Sequence, residues 1–160
     1  MEDKDIVITS AFRTPIGSYM GSLSAVKATE LGTEIIKSCM KNSELNGDDV
    51  DMVYMGQVLQ TGSGQNPARQ AAMNAGINKE KTATTINQVC GSGLSAISLG
   101  FNSLKLDDGN IIIAGGQESM SNSPYYINLK KDEEIDKKKL QNSMMEIGRA
   151  SCRERVSTSV

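Results

Sequence analysis

The feature that most constrains the fold is an alternation of short apolar runs with amphipathic helical stretches, separated by glycine and proline. Ile6-Val7-Ile8 reads as a β-branched strand. Residues 29–41 read as a helix, with Leu31, Ile35, Cys39 and Met40 at helical spacing and Glu30, Glu34, Lys37 and Lys41 elsewhere. That spacing places Cys39 in the core. A second strand is expected over residues 53–59. Asn66-Pro67 is an N-cap followed by proline at the first helical position, opening a helix over residues 68–75 that stops at Gly76. Residues 84–89 read as a third strand. After Cys90-Gly91-Ser92-Gly93, the residues Leu94, Ile97, Phe101 and Leu104 mark one helical face as far as Gly109. Ile111-Ile112-Ile113-Ala114-Gly115-Gly116 reads as a strand apolar on both faces. This order predicts an α/β fold around a mainly parallel sheet with right-handed crossovers.

The helix after Cys90 carries no charged residue over residues 91–104, so it is expected to lie between layers or against a partner. At 160 residues, 38% hydrophobic and 22% charged, the chain has ordinary globular composition. A net charge of -2 gives no electrostatic footprint for nucleic acid or an anionic membrane. The opening Met1-Glu2-Asp3-Lys4-Asp5 is acidic where a targeting peptide is basic, and the longest apolar run, residues 111–114, is too short to span a bilayer. A cytoplasmic protein is expected. Cysteines 39, 90 and 152 form no CxxC and no disulfide framework, and all three are expected to be free thiols.

There is no histidine. This excludes Ser-His-Asp and Cys-His nucleophile systems, His-containing zinc sites and His proton shuttles within these residues. Cys90 stands where a strand gives way to a helix, so its sulfur lies near helix N-terminal amides that stabilise a thiolate. Gly91 and Gly93 keep that turn uncrowded. Spacing alone leaves open a nucleophile, a buried structural cysteine or an ordinary turn thiol. Thr61-Gly62-Ser63-Gly64-Gln65-Asn66-Pro67 lacks the Lys-Ser/Thr ending of a phosphate loop and reads as a plain connection. In Gly115-Gly116-Gln117-Glu118-Ser119-Met120-Ser121, at a strand's carboxyl end, Glu118 is an acid or a hydrogen-bond anchor, and the structural role is preferred.

Asn87-Gln88-Val89-Cys90-Gly91-Ser92-Gly93-Leu94-Ser95-Ala96 resembles the thiolase family, with Cys90 at the position of its acyl-accepting cysteine. Ser10-Ala11-Phe12-Arg13-Thr14-Pro15-Ile16-Gly17 looks like that family's opening strand and loop. Met55-Gly56-Gln57-Val58-Leu59-Gln60-Thr61-Gly62-Ser63-Gly64-Gln65-Asn66-Pro67-Ala68-Arg69-Gln70 is similar to its acetyl-CoA acetyltransferase members, and residues 115–121 match the segment after the fourth strand. The likeness covers about residues 5–127.

The resemblance implies a layered αβαβα fold, here an incomplete first half, and the N-terminal part of a longer chain. Residues 1–120 are then a partial thiolase core and residues 121–145, with their mixed Lys, Asp and Glu run, the start of a loop domain. The implied reaction is condensation of two acetyl-CoA to acetoacetyl-CoA, or the reverse thiolysis, through an acyl-cysteine on Cys90 whose own backbone N–H serves the oxyanion site. Coenzyme A thioesters are substrates, with no permanently bound cofactor and no metal. The family's histidine and second cysteine, which handle the enolate and the proton, have no counterpart here: Cys39 is out of position. Residues 66–76 and the uncharged helix are implied to face a dimer interface, so a homo-oligomer, dimer or tetramer, is expected at full length, with neither nucleic acid nor membrane as partner. The alternatives are a degradative 3-ketoacyl-CoA thiolase and a non-catalytic thiolase-like fragment or interaction module. A decarboxylating ketoacyl synthase fits the Cys90-Gly91-Ser92-Gly93 turn less well.

Residues 1–145 hold twelve lysines and two arginines, whereas residues 146–160 hold three arginines, Arg149, Arg153 and Arg155, and no lysine. So abrupt a reversal is expected of a non-native read-through tail containing Cys152. Resequencing the locus is expected to show a different reading frame after Met145; continuous genomic DNA encoding residues 146–160 would overturn this.

Overall fold

The computed structural model describes residues 5–129 and 134–144. In chain order the main elements are α1 (Ala28–Asn42), β1 (Met52–Gly56), α2 (Pro67–Asn74), β2 (Thr82–Ile86), α3 (Ser92–Lys105) and β3 (Ile112–Gly116). The three strands form a parallel sheet in the order β2-β1-β3, with Met52 opposite both Thr82 and Ile112. A two-residue strand β4 (Tyr125–Tyr126) pairs antiparallel with β5 (Gln141–Asn142).

Strand alternation assigns the layers. Val53, Met55 and Ile113 point to one face, where they bury with Ile36 and Met40 of α1 and with Ala68, Ala71 and Ala72 of α2. Tyr54, Ile112 and Ala114 point to the other, where they meet Gly100 of α3, and the Tyr54 hydroxyl lies 3.1 Å from the Ser103 hydroxyl. The sheet therefore has α1 and α2 on one side and α3 on the other. Asn66 caps α2 as the sequence predicts, its carboxamide oxygen accepting the Arg69 N–H at 3.1 Å, with Pro67 opening the helix. Cys39 is 6% exposed within α1, as its spacing requires.

Two expectations are corrected. Residues 6–8 form no strand; Val7 and Ile8 are 71% and 80% exposed. β-branched composition favours a strand only where an edge is offered for pairing and a face for burial, and these residues have neither here. The seat of α3 is also shifted. Its buried residues are Ser92, Ala96, Gly100 and Ser103, while of the expected apolar face Ile97 and Leu104 are half-buried and Leu94 and Phe101 are exposed. Small residues let the helix lie close on the sheet, and the large ones are left outward.

Asp51, immediately before β1, joins the beginnings of all three strands. Its Oδ2 accepts the N–H groups of Asn110 and Ile111 at 2.8 and 3.2 Å, and its Oδ1 meets Lys81 Nζ at 3.2 Å. These backbone hydrogen bonds, then Lys81, hold its carboxyl below the usual aspartate value. A depressed carboxyl contributes stability above its unfolded value and loses it as pH falls through the folded one. Asp51→Ala is expected to destabilise by about 1–2 kcal/mol near neutral pH, the scale of a charge-assisted hydrogen bond. Urea melts of both proteins should show that deficit shrinking below the ordinary aspartate range; a constant deficit would contradict the assignment.

Candidate active site

The carboxyl ends of β1, β2 and β3 converge on the loop that carries Cys90. Gly56, the last residue of β1, makes this possible: a Cβ there would lie 2.5 Å from the Ser92 carbonyl carbon and 2.6 Å from the Gly93 nitrogen. Only glycine lets the first peptide of α3 rest on the strand. Cys90 is exposed just ahead of that helix.

The loop is fixed by its own polar groups. Asn87 Oδ1 accepts the Val89 N–H at 3.0 Å, ending β2 before the residues expected to extend it. Val89 adopts φ 52, a left-handed conformation rare for a β-branched residue. The buried Ser92 hydroxyl accepts the Gln88 N–H at 2.9 Å and donates to the Val89 carbonyl at 2.5 Å. The Ser95 hydroxyl donates to Gln88 Oε1. Asn87, Ser92 and Gly56 were not singled out for these roles by sequence reasoning. The one signal available was their place within or opposite the Cys90 motif.

Cys39 is a free thiol, and burial pushes its pKa up. Cys90, by contrast, is exposed at its turn. Cys152 and the rest of residues 146–160 lie outside the described residues. The 61–67 loop connects β1 to α2; Gln70 Nε2 donates to the Ser63 and Gln65 carbonyls, so its backbone is closed by protein groups. Among the described residues no cluster of three metal-ligating side chains occurs, and no helix is long and apolar enough to cross a membrane.

Glu118 follows β3 and is the hydrogen-bond anchor that the sequence reading preferred. Its carboxylate accepts the Val58 N–H at 2.7 Å and the Leu59 N–H at 3.3 Å, which ends β1 at Gly56 rather than at residue 59. Beside it, Gln117 Nε2 donates to Gln57 Oε1 at 2.9 Å, and Gln57 Nε2 donates to the Leu59 carbonyl and the Ser63 hydroxyl. Burial raises the Glu118 pKa, opposed by the backbone N–H groups of Val58, Leu59 and Ser119. An acid with a raised folded pKa keeps a proton that the unfolded chain has released, so stability falls as pH rises from the ordinary glutamate value to the folded one. Glu118→Gln removes this slope. Denaturant melts of both proteins, from acid pH to neutrality, should show wild type losing ground to the variant across that window; a pH-independent difference would refute it.

A family model described as "Thiolase, N-terminal domain" matches residues 6–157. Acetyl-CoA acetyltransferase of Pseudomonas aeruginosa is 49% identical over 122 residues, covering 76% of this chain and 31% of the relative. The protein of that name from Rhizobium meliloti is 44% identical over 148 residues, 92% of this chain and 38% of the relative. A mitochondrial one from Xenopus tropicalis is 50% identical over 121 residues, 76% of this chain and 29% of the relative. The chain thus spans about a third of the length of these relatives. With the glycine-seated cysteine loop, the three-stranded parallel sheet and a match over nearly its whole length, the chain belongs to the thiolase family.

Proposed function

We propose that Cys90 is the acyl-accepting nucleophile of an acetyl-CoA acetyltransferase-type thiolase, of which this chain supplies the N-terminal, nucleophile-bearing part. The observation that carries the reading is an exposed cysteine directly before α3, on a loop seated against the strand ends by Gly56. In its reduced form, the Cys90 thiolate sits in the favourable field of the helix N-terminus. It attacks the thioester carbonyl of acetyl-CoA; the new carbon–sulfur bond forms as the bond to coenzyme A breaks, and coenzyme A leaves as a thiolate that takes up a proton. One thioester replaces another, so the step is near thermoneutral and the acyl group stays activated.

The second half-reaction, carbon–carbon bond formation to acetoacetyl-CoA or its reversal, needs a proton acceptor and an enolate-stabilising group. This chain has no histidine, so those groups are not supplied by it in the form the family resemblance implies. The relatives' printed names support the acetyl-CoA subtype. Leu94, Leu99 and Phe101 on the outer side of α3 are exposed, which supports a further layer or a second subunit over that helix and hence a homo-oligomer. A relative from Gibberella zeae named as cytosolic supports a cytoplasmic location, while two Xenopus relatives are named as mitochondrial.

The test is mass spectrometry of the reduced chain after incubation with acetyl-CoA. One acetyl group on the Cys90 peptide, absent in Cys90→Ser, is the expected result, with no accompanying thiolysis of acetoacetyl-CoA. Failure of wild type to acquire the adduct, or an adduct that survives Cys90→Ser, would overturn the assignment.

A further inference from the structure

We propose that Glu118 is a positioning residue for Cys90, acting through the Val58–Leu59 peptide and the side chain of Asn87. The inference rests on the role of Cys90 given above and adds the groups that set its pose.

The connection is continuous. Glu118 accepts the Leu59 N–H at 3.3 Å, and the carbonyl of that same peptide unit, Val58 O, accepts Asn87 Nδ2 at 3.1 Å. A peptide unit is planar and stiff, so fixing its N–H direction fixes where its carbonyl points. Asn87 uses both ends of its carboxamide: Nδ2 is spent on Val58, which leaves Oδ1 facing the Val89 N–H at 3.0 Å. Val89 is the left-handed residue immediately before Cys90, and a β-branched residue stays in that conformation only when its surroundings hold it there. Ser92 holds it from the α3 side and Asn87 from the β1 side. Asn87 is exposed, so water competes for its bonds unless Val58 presents its carbonyl at the right angle. Glu118 provides that angle. It also grips the Val58 N–H at 2.7 Å, and no Lys or Arg is paired with it among the described residues, so its acceptor capacity goes to backbone. A half-buried carboxylate is a costly way to tie down one loop; it is a rigid way to aim a peptide dipole at a second loop.

The experiment is a double-mutant cycle on the reduced chain, with Glu118→Gln, Asn87→Ala and both together. Two rates are read by peptide mapping: iodoacetamide alkylation of Cys90, and that of buried Cys39 as a monitor of global opening. Each single variant is expected to slow Cys90 alkylation by about tenfold, the reach of one well-placed hydrogen bond, with Cys39 still protected. The double variant is expected to be no slower than the slower single one, since both act through one path. Multiplicative losses, or Cys90 rates equal to wild type in either single variant, would overturn the proposal. If Glu118→Gln exposes Cys39, Glu118→Asp, which keeps the charge and shortens the reach, replaces it with the same two outcomes. Acetyl transfer from acetyl-CoA is followed in parallel. Its absence in wild type would defeat the acyl-acceptor role alone, because the alkylation cycle still decides the positioning role.

Discussion

The close approach of α3 to the carboxyl end of β1 is the constraint from which the rest of the site follows. A helix seated with its first peptide where a Gly56 side chain would otherwise be has no slack: the preceding turn must reverse the chain within residues 87–91. That compression accounts for the left-handed Val89, for a serine rather than an aliphatic residue at buried position 92, and for the carboxamide at 87. Each buried polar group in the turn answers a backbone group that the sheet ladder can no longer reach. Cys90 is exposed because the turn is tight, not because the region is loosely packed.

The same seating divides the molecule's apolar residues. On the α1/α2 face, alanines of α2 pack beneath Val53 and Met55 and larger side chains close the layer from α1. On the α3 face the helix contributes Ala96, Gly100 and Ser103, so little apolar volume is buried there by the helix itself. Leu94, Leu99 and Phe101 consequently point away from the sheet. A helix uncharged until its last residue, Lys105, with Leu94, Leu99 and Phe101 facing outward, is built to be covered on both sides.

Much of this was legible in the sequence, and the limits are physical. Strand and helix identity after residue 28 could be read because periodicity, Asn66-Pro67 and Gly76 are local signals. The place of Cys90 between a strand and a helix was legible for the same reason: a cysteine between a β-run and two spaced glycines is a local pattern. Residues 6–8 were misread because a strand is defined by its neighbour, and composition names none. The inner face of α3 was misread because hydrophobicity favours large side chains, whereas close contact between a helix and a glycine-ended strand selects small ones. Gly56 and Asn87 entered only as members of quoted motifs, because the Gly56 contact with Ser92 and the Asn87 bond to Val58 join atoms at least 29 residues apart in sequence.

The two structural carboxylates show how placement governs what a shared motif does. Asp51 and Glu118 stand near opposite ends of the sheet, and each accepts more than one backbone N–H across a strand junction. Such bonds lower the pKa in both. Yet Asp51 titrates below its ordinary value and Glu118 above, because the backbone bonds of Asp51, partly in water with Lys81 beside it, meet little opposition, while Glu118 is desolvated with no cation paired to it among the described residues. Asp51 gains net stability from its charge, so its position suits a clasp. Glu118 keeps its carboxyl at a cost, and a costly group that orders a loop next to Cys90 is better explained by where it aims that loop than by how firmly it holds the fold.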